Sequence, residues 1–358
     1  RIEHQCLHMT YEGLSVGLSK MNWATRNYIP VGNLLVGMAY LVRRIMENSS
    51  QVGVLTIMRS HKKSLNIMTP DETLKRNIEN FKYKYDQSVE IMSKDFKNIY
   101  PIRTYKEKHL FKVTNRLNED MNRLNAGGLF HSIGEKSIQC SSQPSLKLGN
   151  VQYDTEVLVN SKVDQLFNSF SQNEWGSDYF YRFASLKKLA DLLLLKREEL
   201  TSLIMLEAGK TIDEAVADVD EAIDFINFYV NEQIKITNTE RYDSIGIIGV
   251  IAPWNFPLAI PCGMTVAALV AGNSVILKPA EQTPLIALQF LDLCRQAGIG
   301  EDILQISLGE AEVGKAIVSH ELVSGVVFTG SKTVGTSIYK KISREKTSSK
   351  YAFSPIPK

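Results

Sequence analysis

Two prolines bracket Trp254, Asn255 and Phe256 in the run Pro253-Trp254-Asn255-Phe256-Pro257, directly after a nearly continuous apolar stretch, Ile245–Ala252. Each proline fixes its backbone and removes a hydrogen-bond donor, so the run cannot continue a sheet. It predicts a rigid turn at the carboxyl end of a buried strand, where open α/β sheets bind their ligands. A second group follows in Leu277-Lys278-Pro279-Ala280-Glu281. Lys278 and Glu281 leave a strand end three residues apart, and such a pair can donate to and accept from the vicinal hydroxyls of a ribose. A third is Val327-Phe328-Thr329-Gly330-Ser331, running into Thr333-Val334-Gly335. Glycine permits close backbone approach, and helix N-terminal amides with the Ser331 hydroxyl suit a phosphate. Near the start, Tyr40, Arg43 and Arg44 stand three and four residues apart, on one side of a helix. Paired guanidinium groups of this kind bind a carboxylate with forked geometry.

The elements that must position these groups are legible from about residue 150 onward. Residues 180–208 read as one long amphipathic helix, with Phe183, Leu186, Leu189, Leu193 and Leu200 on one side, ended by Gly209. Ile212–Val230 reads as a second helix, decorated by Asp213, Glu214, Asp218, Asp220 and Glu221. Strands at 245–252, 274–277, 303–308 and 325–329 then alternate with helices at 264–271, 284–297 and 311–319. That alternation predicts an α/β fold with a parallel sheet covered on both faces. Before it, residues 61–130 are rich in Lys, Asn and Asp, and read as a helical linker in which Leu110, Val113, Leu117 and Met121 recur at helical steps. Residues 1–60 contain a further helical stretch around 38–48.

The three strand-end motifs, in this order and spacing, resemble the aldehyde dehydrogenase superfamily over residues 150–340. Glu207-Ala208-Gly209-Lys210-Thr211, followed by an acidic helix, is similar to that family too. The resemblance implies a Rossmann-like NAD-binding domain that does without the usual Gly-x-Gly-x-x-Gly turn. It implies that Asn255 holds the developing oxyanion through its side-chain amide. Lys278 and Glu281 would grip the adenine ribose of NAD, and Ser331 would touch the pyrophosphate, with Gly314 and Gly330 making room. Ile251, Ala252, Pro253, Trp254 and Val334 would line the cofactor cleft. Residues Tyr28-Ile29-Pro30-Val31-Gly32 and 39–48 resemble the last strand and helix of the proline dehydrogenase (β/α)8 barrel. There Arg43 and Arg44 would hold the carboxylate of proline, and Tyr28 and Tyr40 would line the pocket beside FAD.

A proline dehydrogenase tail joined to an aldehyde dehydrogenase is the arrangement of the bifunctional proline utilization A family. The expected organisation is a barrel remnant over 1–60, a helical linker over 61–130 and an NAD-binding domain over 131–358. The expected chemistry of the parent is FAD-dependent oxidation of proline, then NAD-dependent oxidation of glutamate semialdehyde to glutamate. Two parts of that chemistry are missing from the sequence. No cysteine follows Cys294 to serve as the nucleophile that aldehyde oxidation needs, and the family's general-base glutamate segment has no match near the terminal run 348–358. Cys262 and Cys294 fall on predicted helices as packing residues. The chain also starts at Arg1 rather than Met. It is therefore expected to be a piece of a longer enzyme, inactive by itself.

Composition narrows the rest. A net charge of +2 gives no reason to expect nucleic acid as the partner. Four widely spaced cysteines and no His/Cys ligand spacing point to free thiols in a reducing compartment, without a metal. No run reaches the ~18 apolar residues of a membrane span. A cytoplasmic enzyme acting on small molecules, self-associating, with peripheral membrane association of the parent, is the expectation. Gly309-Glu310-Ala311-Glu312-Val313-Gly314-Lys315 matches a phosphate-loop pattern, but Ala316 stands where that loop needs Ser or Thr for Mg²⁺, and two glutamates would repel phosphate. Two further alternatives are a non-catalytic NAD-binding module and an aldehyde dehydrogenase for another substrate.

Overall fold

The computed structural model describes residues 4–7, 12–22, 25–28, 96, 98–102, 104, 106–170, 172–237 and 243–345. The chain divides into two compact units, residues 1–91 and 92–358. In the first, strand β1 (His4–Leu7), helix α1 (Glu12–Lys20) and strand β2 (Thr25–Tyr28) form one β-α-β unit, with the strands parallel and Leu7 paired with Tyr28. Tyr40, Arg43, Arg44 and the helix expected around 38–48 lie outside the described residues.

The second unit is built on four parallel strands: β6 (Ile247–Ile251), β7 (Ser274–Lys278), β8 (Leu304–Ile306) and β9 (Val323–Phe328). Their order across the sheet is β8-β7-β6-β9. Successive strands step outward from β6 in one direction, then β9 returns to its other side. The topology therefore reverses between β6 and β9, the place where such sheets open a crevice at their carboxyl ends. A small mixed sheet of β3 (His131–Ser132), β5 (Lys147–Val151) and β4 (Lys136–Gln139) precedes it.

Strand residues alternate between the faces, so β6 and β7 each serve two cores. Ile247 and Ile276 join Val323 and face helices α3 (Glu156–Phe170) and α9 (Ala311–Ser319), through Val159, Val163, Leu166, Val313 and Ile317. Ile248, Val250, Val275 and Leu277 face the larger core. That core is supplied by α4 (Tyr179–Leu195), α5 (Arg197–Ala208), α6 (Ile212–Thr237), α7 (Ala259–Val270) and α8 (Pro284–Gln296). On the α9 side the strand needs a residue without a side chain at Gly249. A Cβ there would stand 2.7 Å from Cγ2 of Ile317.

Two expectations need correction. Residues 180–208 are not one helix, because the chain breaks at Lys196, which adopts φ −97° and ψ 16°. The turn lets both arms bury their apolar stripes. It also aims Arg197 inward, where its Nε donates to Asp220 at 2.5 Å and its Nη1 to the Tyr100 carbonyl at 3.1 Å. Nor are the acids of α6 all decoration. Asp218 is fully buried, and Asp220 nearly so. Asp224 receives the Asn98 amide at 2.5 Å and the Ile99 N–H at 2.8 Å. Helix α2 (Glu107–Asn125) buries Val113 and Leu124 and packs Leu117 and Met121 on the core, leaving Leu110 exposed.

Helix α7 is almost wholly apolar, and its ends are served from elsewhere. The Trp175 indole donates to Leu269 O at 3.0 Å, and the Arg182 Nε to Val270 O at 3.2 Å. A buried guanidinium at a helix C-terminus satisfies orphan carbonyls and opposes the negative end of the dipole. Among the described residues, no helix is long and apolar enough to cross a membrane.

Candidate functional site

The carboxyl ends of β6, β7 and β9 lie side by side in register. Ile251 pairs with Lys278 on one side and with Phe328 on the other. Backbone bonds extend the alignment by one residue: Ala252 N donates to Lys278 O at 3.1 Å, and Thr329 N to Ile251 O at 3.2 Å. The three motifs singled out in the sequence therefore emerge from neighbouring strand ends.

From β6 the chain passes through buried Ala252 and half-buried Pro253 into the turn, which leaves Trp254 56% exposed and Asn255 exposed. Proline at both ends explains why this turn holds its shape without strand pairing. From β7, Lys278 is buried to 5% exposure. Its Nζ donates to Pro279 O at 3.1 Å and reaches Glu281 Oε2 at 3.5 Å. Burial lowers the Lys278 ammonium below the ordinary lysine range, against the pull of Glu281 and Glu310. Burial works to raise Glu281, but its own backbone N–H, Lys278 and Gln282 outweigh it and hold the carboxylate below its usual range. The pair thus sets a nitrogen donor beside a carboxylate acceptor at the end of β7.

Gly314, in α9, faces Lys278 and Ile251. A Cβ on it would lie 3.5 Å from Cδ of Lys278, 3.8 Å from its Cε and 3.9 Å from Cδ1 of Ile251. The helix thus presents bare backbone to the space beside Lys278. Gly330 packs on Phe328, where a Cβ would meet the ring at 2.6 Å. Ser331 precedes helix α10 (Lys332–Glu345), and its Oγ accepts the Val334 N–H at 3.3 Å as an N-cap. Val334 itself is 47% exposed. Lys315, the lysine of the phosphate-loop pattern, is exposed and paired with Glu312 at 2.7 Å.

Sequence reading missed the supports beneath these groups. Lys210 Nζ donates to Asp218 Oδ2 at 3.0 Å and to the Asn255 carbonyl at 3.1 Å, and stands 4.0 Å above the Phe256 ring. Asp218 Oδ1 accepts Ala259 N at 2.7 Å. Glu207 accepts Leu285 N at 2.7 Å and Ile286 N at 2.9 Å. Burial outweighs both donors and pushes its carboxyl up to about 8. A signal was present: Asp218 falls in helical register with Ala215 and Ala222, and Glu207 with Leu200, Leu203 and Ile204. A carboxylate on the apolar stripe of a helix is buried, and a buried carboxylate needs donors. Of the cysteines, Cys140, Cys262 and Cys294 are buried with free thiols. Burial also pushes the Cys262 and Cys294 thiols up, away from the thiolate a nucleophile needs.

The family model described as the aldehyde dehydrogenase family matches residues 139–351. This chain belongs to the aldehyde dehydrogenase family. The proline dehydrogenase model matches residues 1–56, ahead of the aldehyde dehydrogenase region. The bifunctional protein PutA of Klebsiella aerogenes is 31% identical over 95% of this chain, which spans 27% of that relative. The 1-pyrroline-5-carboxylate dehydrogenase of Bacillus subtilis is 37% identical over 48% of the chain and 36% of its own length. Among solved structures, the 1-pyrroline-5-carboxylate dehydrogenase from Thermus with bound NAD is 27% identical, covering 70% of this chain and 52% of its own, with a TM-score of 0.64. The aldehyde dehydrogenase portion is thus joined to proline dehydrogenase sequence in a PutA-like order, and the chain spans about a quarter of those bifunctional relatives.

Proposed function

We propose that this aldehyde dehydrogenase chain holds NAD for a bifunctional proline-degrading enzyme, whose reaction here is the oxidation of glutamate semialdehyde to glutamate. The observation that carries the reading is the bare face of α9 at Gly314, opposite the buried Lys278 and the end of β6 at Ile251. Those groups fit a dinucleotide. Lys278 and Glu281 offer a donor and an acceptor at the spacing of two ribose hydroxyls, and Ser331 with the first amides of α10 can take a phosphate oxygen. Ile251, Ala252, Pro253, Trp254 and Val334 wall the cleft, with Gly330 leaving room beside Ser331. NAD, when bound, supplies the hydride acceptor.

The Asn255 amide donates to the oxygen on which charge develops, a contribution whose removal costs about 10²–10³ in rate in comparable sites. Glu281, with Glu310 nearby, makes the ribose end acidic and disfavours the 2′-phosphate of NADP. The substrate assignment draws on the PutA and 1-pyrroline-5-carboxylate dehydrogenase relatives, and FAD and proline belong in this proposal to the proline dehydrogenase portion. Arg43 and Arg44 would hold the proline carboxylate, and Tyr28, at the end of β2, and Tyr40 would line its pocket; Arg43, Arg44 and Tyr40 lie outside the described residues. A cytoplasmic enzyme that self-associates completes the proposal.

The test is calorimetric titration of the 358-residue chain with NAD, NADP and AMP. Saturable binding of AMP and NAD, weaker binding of NADP, and loss of AMP binding in Glu281→Ala are expected. A chain that binds neither AMP nor NAD would overturn the reading.

A further inference from the structure

The run Glu207-Ala208-Gly209-Lys210 has no part in the proposed contacts with cofactor or substrate, yet its side chains reach both lips of the cleft. Glu207 sits in the last turn of α5 and is 4% exposed. Its two oxygens take the Leu285 and Ile286 amides at 2.7 and 2.9 Å. Those amides open α8, which starts at Pro284 with Thr283 at its N-cap making no side-chain capping bond. Four amides at a helix start lack partners in their own helix, and here a carboxylate from α5 takes two of them. The segment between β7, which ends at Lys278, and α8 is the loop carrying Glu281. β7 holds one end of that loop, and Glu207 holds the other.

Gly209 then ends α5 with φ 70°. A Cβ there would lie 2.7 Å from Ser141 Oγ, so the left-handed turn and the tight fit both require glycine. The chain reverses and sends Lys210 toward the other lip. Lys210 binds the Asn255 carbonyl and covers the Phe256 ring, while its partner Asp218 caps the start of α7 at Ala259. Leu258, at the N-cap of α7, makes no side-chain bond of its own. The same logic operates twice: α7 and α8, which follow the ends of β6 and β7, are each capped by a buried carboxylate from outside the helix.

We propose that Glu207 and the Lys210–Asp218 pair are positioning residues that set the two lips independently, Glu207 the ribose loop and Lys210 the Asn255 turn. This rests on the reading of the cleft as a dinucleotide site. AMP occupies only the ribose-loop lip, whereas NAD spans both.

The experiment uses the full chain with AMP and NAD titrations and amide hydrogen exchange without ligand. Lys210→Met is expected to leave AMP affinity within about twofold and to weaken NAD by about tenfold or more, a difference of one decade in Kd. Lys210→Arg is expected to restore most of the NAD affinity. Glu207→Gln is expected to weaken AMP and NAD together. In exchange, Lys210→Met should expose the Leu258 and Ala259 amides, which Asp218 holds, and leave 285–286 protected, and Glu207→Gln should do the reverse. If Lys210→Met strands the Asp218 charge and fails to fold, Lys210→Met/Asp218→Asn removes both charges and carries the same expectations. Equal losses of both ligands in both variants, or exchange changes that spread to both lips, would overturn the proposal. A wild-type chain that binds neither ligand would sink the dinucleotide reading alone, and the exchange pattern would still decide whether the two lips are held separately.

Discussion

Gly314 separates folding from binding at a single residue. It lies inside α9, and a Cβ there meets only ordinary contacts. Gly314→Ala should therefore raise the thermal midpoint, since glycine inside a helix is roughly 0.5–1 kcal/mol worse than alanine. The same methyl group intrudes beside Lys278, so affinity for NAD should fall by about tenfold, or about 1.4 kcal/mol. Calorimetry of both properties on one sample checks the pair, and a variant that gains stability without losing NAD would count against the cleft's placement. Lys278, Glu281 and Asn255 were legible in the sequence because each follows a buried strand within a few residues, so their placement is a local matter. Lys210 was not, because the carbonyl it binds is 45 residues away and backbone carbonyls leave no mark in a sequence.

Caps supplied by other helices make the stability of individual elements depend on pH in a particular direction. The Glu207 carboxyl titrates at about 8 in the folded chain and near 4.5 without the fold. Ionisation is harder in the folded state, so the group's contribution is complete below about 4.5 and is lost as pH rises through about 8. Asp218, Asp220, Glu221 and Asp224 are also raised by burial, so each acts with the same sign above its own ordinary carboxylate range. The thermal midpoint should be lower at pH 9 than at pH 6. Glu207→Gln should flatten that slope, while costing on the order of 1–3 kcal/mol at pH 6, because a Gln side chain has one acceptor for two buried amides. Arg182→Met should release the carboxyl end of α7 and destabilise by a similar ~1–3 kcal/mol, read by chemical denaturation. The element types were largely legible from residue 150 onward, since strands buried on both faces read as apolar runs and glycines or prolines close them. The break at Lys196 was not. Apolar residues continue in helical register on either side of it, and the break serves Arg197, whose partners Asp220 and Tyr100 are remote in sequence.

At the scale of the whole molecule, a cleft for a cofactor and a capacity for chemistry are separate properties. No cysteine follows Cys294 in the sequence, and Cys140, Cys262 and Cys294 are buried. The purified 358-residue chain should bind NAD yet form no NADH from glutamate semialdehyde, followed by absorbance at 340 nm. Steady NADH formation would show that a nucleophile has been overlooked. The β6–β9 sheet order also joins distant events. Gly249 lies in the middle of β6, away from the cleft, and lets Ile317 of α9 sit directly on the strand. Gly314, which shapes the mouth of the cleft, is one turn earlier on that helix. A single added carbon at position 249 would act as a wedge, tilting the helix outward and widening the mouth at its far end. Loss of grip on the ligand would then arise from a substitution that touches neither ligand nor solvent.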